Sequence, residues 1–202
     1  MKFHSMFAWL VLAALLSGCQ TTSVRSAWFD TDFTGPPMRK IVVTGSVGSV
    51  ADERVLEDSF VDRLRAAGVE GIAGHGLRLD DPGLPDASFD AAVVNAGAQG
   101  LLLVRLLGVD TRTQVSTTMV SGGMGWGRGS WGGATRTMIP VQEVRQYGVA
   151  TVETKLFDVK SRRLVWAATT TTFNPRSVSR EAPDFANLII GQLADRGIIA
   201  RK

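Results

Sequence analysis

The chain contains two histidines, His4 and His75, and one cysteine, Cys19, so little imidazole or thiol chemistry is available to it. A Ser-His-Asp site would have to use His75, with Asp80 or Asp81 orienting it, but the Gly-x-Ser-x-Gly turn that presents such a nucleophile is missing. Between Gly74 and Gly76, His75 reads as an exposed loop residue. Asp52, Glu53, Glu57 and Asp58 supply carboxylates close enough in sequence for acid/base pairing. On an amphipathic helix they form instead a solvated face, on which Arg54 and Arg63 can pair with them. Gly127-Arg128-Gly129-Ser130-Trp131-Gly132 matches the phosphate-cradling Gly-x-Gly-x-x-Gly. Its continuation, Gly133-Ala134-Thr135-Arg136-Thr137, is not helical and no β-α-β unit encloses it, so nucleotide chemistry is disfavoured. The expectation is a non-enzymatic protein with no catalytic residue and no cofactor.

Cys19 is the residue whose setting does imply chemistry. Lys2 precedes an apolar stretch from Met6 to Leu16, too short to span a bilayer comfortably, and small residues lead into the cysteine. Leu16-Ser17-Gly18-Cys19 resembles the lipobox of bacterial lipoproteins, which implies acylation of the sulfur, cleavage before it and a mature chain beginning at Cys19. In an oxidising compartment a lone cysteine has no internal disulfide partner, and acylation removes the exposed thiol. With Cys19 acylated, one imidazole and no thiolate remain for zinc, so no metal site is expected. Position 20 is Gln rather than the Asp that favours inner-membrane retention in such lipoproteins. The resemblance therefore implies an outer-membrane, lipid-anchored, periplasm-facing protein of a Gram-negative bacterium, with the bilayer as a partner through Cys19.

Composition is consistent with one domain. The chain has 202 residues and a formal charge of +3. Residues 1 to 18 hold one basic side chain and no acidic one, leaving +2 from Cys19 onward. That near balance argues against a nucleic-acid partner. Three segments are expected: a signal peptide over 1–18, an acylated cysteine and tether over 19–37, and a periplasmic α/β domain over 38–200. Trp28, Phe29 and Phe33 would pack on the domain edge.

Within the domain, Ile41-Val42-Val43-Thr44 reads as a buried strand. Ser49 with Asp52 forms a capping box, Leu56, Phe60 and Leu64 an apolar stripe, and Gly68 a helix stop. Val69 to Ala73 is a second strand, and Ala87 to Ala98 a small-residue helix facing inward through Phe89, Val93 and Ala96. Leu101 to Val104 is a third strand, buried on both faces. Tyr147 to Phe157 and Leu164 to Phe173 form a hairpin around a polar turn. Trp166 belongs to the core, and Thr169 to Thr172 to a strand with a partly solvated face. A last helix starts near Pro183 and ends at Gly197, with Phe185, Leu188, Ile189 and Leu193 on one stripe. The order β-α-β-α-β-β-β-α predicts an α/β (α+β) fold with a single mixed sheet and helices packed on it.

Lys40-Ile41-Val42-Val43, Phe60-Val61-Asp62-Arg63-Leu64 with Ala67-Gly68, and Gly97-Ala98-Gln99-Gly100 running into Leu101 to Val104 carry a wider resemblance. So do Val152 to Asp158 and Leu164-Val165-Trp166. These segments resemble a family of periplasmic lipoprotein domains that includes the amino-terminal domain of TolB, the penicillin-binding-protein activators and the curli secretion lipoprotein CsgG. The resemblance implies a fold and an envelope role, and carries over no catalytic residue.

The stretch from 112 to 140 interrupts the strands and is expected to be a flexible loop before the final hairpin. From Ser121 to Gly133 glycines alternate with Met124, Trp126, Arg128 and Trp131. Three readings are open: a surface loop folded back on the domain, a partner-docking loop using residue types that dominate binding energy, or a membrane-inserting hairpin. Arg112 to Ser121 alternates weakly, and Arg136, Pro140, Glu143 and Arg145 interrupt the return arm. The function expected is that of an adaptor or envelope-assembly factor working through contacts with a periplasmic or outer-membrane protein. The alternative is a homo-oligomeric, CsgG-like secretion or pore component using 112–140 at the membrane.

Overall fold

In the computed structural model, residues 22–81, 84–122, 137–173 and 177–200 are described. The chain forms β1 (Thr22–Phe29), β2 (Lys40–Ser46), α1 (Val50–Ala66) and β3 (Glu70–Ala73), followed by a 3-10 turn (Gly74–Leu77) and α2 (Asp86–Asn95). It continues through β4 (Gly100–Gly122), β5 (Thr137–Asp158), β6 (Leu164–Phe173) and α3 (Val178–Asp195). One mixed six-stranded sheet runs β1-β6-β5-β4-β2-β3, with β4-β2-β3 parallel and the other pairs antiparallel.

Connection direction decides which face each helix covers. The β2-α1-β3 crossover steps one way along the sheet, whereas β3-α2-β4 steps back across β2. Right-handed crossovers in opposite directions put their helices on opposite faces. Accordingly Leu56, Phe60 and Leu64 of α1 join Phe185, Ile189 and Leu193 of α3 in the main core with Leu102, Leu156 and Trp166. Val93 of α2 packs with Val42 and Leu79 in a smaller cluster on the other side. Leu102 belongs to the first cluster and Leu101 packs against the second, so β4 starts with both faces covered, as its apolar run predicts.

The start of α1 follows its capping signal. The Ser49 hydroxyl accepts the Asp52 N–H at 3.1 Å and donates to the Asp52 carboxylate at 2.8 Å. At its end Gly68 takes φ +86°, a conformation that costs a residue with a Cβ dearly. The last helix begins at Val178, five residues before Pro183. That places the proline past the first turn, where its missing N–H forgoes one intrahelical bond.

Three expectations are corrected by the strands. The 19–37 segment is strand β1 from Thr22 to Phe29, paired along β6; Trp28 is 51% exposed while Phe29 and Phe33 pack on the core. The threonine run is consequently interior: Thr170, Thr171 and Thr172 are buried, with Thr22 and Thr172 hydroxyls 2.9 Å apart. The flexible loop expected over 112–140 is, from 112 to 122 and from 137 to 140, regular strand belonging to β4 and β5. Residues 123–136 lie outside the described residues.

Candidate functional site

β4 and β5 stay in register for their whole length, apart from one irregularity between Leu106 and Gly108. Their neighbours do not. β2 accompanies β4 only from Gly100 to Arg105, and β6 accompanies β5 only from Val149 to Phe157. Twelve further pairs, from Thr111 opposite Gly148 to Gly122 opposite Thr137, form a two-stranded ribbon whose outer edges pair with no other described strand. At strand rise this ribbon is about 40 Å long. Both strands are edges, and Pro140, opposite Met119, sits where a missing N–H is tolerable.

Directly opposite residues share a face, so the register sorts the ribbon. One face carries the positions Thr113/Gln146, Val115/Val144, Thr117/Gln142 and Met119/Pro140. The other carries Arg112/Tyr147, Gln114/Arg145, Ser116/Glu143, Thr118/Val141 and Val120/Ile139. Charge is confined to one face near the base, and apolar residues gather toward the tip. Met124, Trp126, Arg128 and Trp131 belong to the segment joining the two strands; they and Cys19 lie outside the described residues.

A polar cluster sits at the carboxyl ends of β2 and β3. Glu57 is 1% exposed, contrary to its expected place on a solvated face. Its Oε1 accepts the Gly45 N–H at 3.1 Å and its Oε2 accepts the His75 N–H at 2.8 Å. The His75 Nδ1 is also 2.8 Å from Oε2, and its Nε2 lies 3.6 Å from Asp58. His75 is thus a partner of α1 rather than a free loop residue. One turn away Arg54 grips Asp80 through Nε at 3.1 Å and Nη2 at 2.7 Å. That hydrogen bonding, reinforced by the charge, holds the Asp80 carboxyl below its usual range and raises the guanidinium. Glu57 shares a stripe with Phe60 and Leu64 at spacings of three and seven, which is the signal that could have exposed it. Among the described residues no group of three His, Cys, Asp or Glu side chains is gathered to hold a metal ion.

Of the cavities along the sheet, two lie at its opposite ends. One of about 490 Å³ lies at the end opposite the ribbon, between the Asp30–Met38 segment and the β5–β6 turn; Arg163 closes its wall on Asp30 at 2.7 Å. The second, of about 220 Å³, is an apolar groove at the ribbon base, between α3 and the sheet. Among the described residues no helix is long and apolar enough to cross a membrane.

No family model matches the chain, and no curated protein matches it. Similar solved structures exist. A PelC dodecamer from Paraburkholderia phytofirmans is 16% identical, with 90% of this chain and 99% of that chain covered and a TM-score of 0.48. Lipoprotein GNA1162 from Neisseria meningitidis is 11% identical, covering 77% of this chain and 98% of that chain, with a TM-score of 0.42.

Proposed function

We propose that this chain is a lipid-anchored cell-envelope protein, held in the outer membrane through Cys19 and facing the periplasm, that works without catalysis by gripping a protein partner with its β4–β5 ribbon. The ribbon's edges, which pair with no other described strand, carry this reading. An isolated two-stranded hairpin is marginal in water, and edges of this length are templates for another strand. A partner that adds a strand to either edge hydrogen-bonds backbone groups that no described strand pairs, and fixes the ribbon.

The test shortens the ribbon in register, removing residues 113–120 and 139–146 together. The acylated, detergent-solubilised protein and this variant are compared by light scattering on a sizing column and by partner capture from envelope extract. The adaptor reading expects unchanged melting and a lost complex. A variant that keeps its partner overturns the ribbon's role, and one that unfolds shows that the ribbon belongs to the core.

A second reading, a ring of copies meeting the bilayer, is favoured by one observation. The ribbon leaves the sheet at the end where Thr22 pairs Thr172, three residues after Cys19, and each arm exceeds the 9–11 residues a membrane strand needs. Its polar positions on both faces weigh against a lipid-facing barrel. A large discrete oligomer that depends on detergent and collapses in the shortened variant selects this reading.

A further inference from the structure

The apolar groove at the ribbon base has walls from all the elements that meet there: Leu56 of α1, Val104 and Leu106 of β4, Val152 of β5, and Val178 and Phe185 of α3. It opens beside Thr172, and Val109 at its rim is 58% exposed. An open apolar cleft in a monomer calls for an occupant.

The first described residue of the chain stands next to the groove. Thr22 stands opposite Thr172 on β6, the two hydroxyls are 2.9 Å apart, and both residues are buried. The backbone entering β1 is therefore fixed at the groove's edge. Cys19 is three residues upstream of Thr22, and three residue steps span at most about 11 Å. Anything the Cys19 sulfur carries is therefore tethered within that distance of Thr22, and the lining is suited to methylene chains: aliphatic and aromatic walls, with Thr172, Ser177 and Glu181 as polar members.

We infer that the groove receives an acyl chain of the lipid on the protein's own Cys19, an inference that rests on the lipoprotein reading given above. Seating one chain there while the others enter the bilayer ties the ribbon end of the sheet to the membrane surface, which a loose tether would not do.

The experiment feeds cells a diazirine-bearing fatty acid, purifies the full-length processed protein in mild detergent, records its intact mass, irradiates it and maps the crosslinked peptides. Mixing isotope-labelled and unlabelled copies separates contacts within a chain from contacts between chains. Acylated protein whose crosslinks fall within the chain on Leu106, Val178 or neighbouring groove residues is the expected result. Val109→Asp, at the exposed rim, should cut their yield about tenfold by setting a charge beside the chain, with melting unchanged. Acylated protein crosslinked only to phospholipid, or only to a second copy, overturns the inference and leaves the lipoprotein reading standing. An intact mass without acyl groups at Cys19 overturns both.

Discussion

Glu57 Oε2 lies 2.8 Å from both the backbone nitrogen and the Nδ1 of His75, while the other carboxylate oxygen takes the Gly45 N–H. One buried side chain thus ties α1 to the end of β2 and to the turn after β3. Replacing it with alanine leaves two backbone donors without their acceptor, and donors to charged groups are among the costlier ones to orphan. Glu57→Ala should lose about 3 kcal/mol in urea unfolding, and Glu57→Gln less, because one oxygen remains to accept. Equal stability of all three proteins would remove the carboxylate from the structural account.

Gly74 reports on the same junction from the other side. A Cβ there would stand 3.0 Å from Glu57 Oε1, 3.0 Å from Thr44 Cβ and 3.1 Å from the Val43 carbonyl oxygen. The backbone and the β-branched side chain have little room to yield. Gly74→Ala should cost about 1–3 kcal/mol, and the combination with Glu57→Ala should cost less than the two separately, since the alanine at 57 removes one of the clashing atoms. Strict additivity in the double mutant would mean that the two residues do not share this contact.

What could be read from the chain divides by whether an element has a buried face. α1 was legible because Ser49 and Asp52 cap it and Leu56, Phe60 and Leu64 repeat on one side; all three are buried. The β5–β6 hairpin was legible for the same reason. The extension of β4 and β5 was not, because it runs past the ends of β2 and β6, and period-two contrast arises only where one face is buried. β1 lacks that contrast for a related cause, since Arg25, Ser26 and Trp28 sit on an exposed edge strand. Glu57 reads as solvated because carboxylates are seldom fully buried, and the Gly45 and His75 donors that make its burial tolerable come from other elements.

The Arg54–Asp80 pair gives stability a pH dependence of defined sign. Hydrogen bonding from Arg54 lowers the Asp80 pKa below its unfolded value. A depressed carboxyl stabilises above the unfolded pKa, and that contribution fades as pH falls through the lowered folded value. Arg54→Ala should move the Asp80 carboxyl titration, followed by NMR, back toward the ordinary range. The variant's stability deficit should be present at neutral pH and vanish in acid. The deficit is small because Arg54 is solvent-exposed. A deficit that persists at the lowest pH would point to packing by the Arg54 stem instead.

The contact between α1 and α3 is anchored by Phe60 and Phe185, whose ring centroids are 5.5 Å apart and nearly perpendicular at 83°. Both rings are buried. Phe185→Ala should cost about 3–5 kcal/mol by loss of transfer free energy and cavity formation. A cycle with Phe60→Leu should isolate about 1 kcal/mol of edge-to-face coupling. No coupling in the cycle would reduce the pair to area burial alone.

Thr154 offers a change in the stabilising direction. It is 0% exposed, and its hydroxyl has no hydrogen-bond partner among the described residues. In β5 it lies between Val104 of β4 and Ala168 of β6, both members of the main core. Thr154→Val keeps the branched shape and replaces an unsatisfied oxygen with a methyl, so the unfolding free energy should rise by about 1 kcal/mol. Thr154→Ala removes the same oxygen but also a methyl, opening a small void that offsets the gain. The order Val, then wild type and Ala close together, is therefore expected in chemical denaturation. A valine variant less stable than wild type would mean that the hydroxyl is satisfied in solution by a bound water or by a segment outside the described residues.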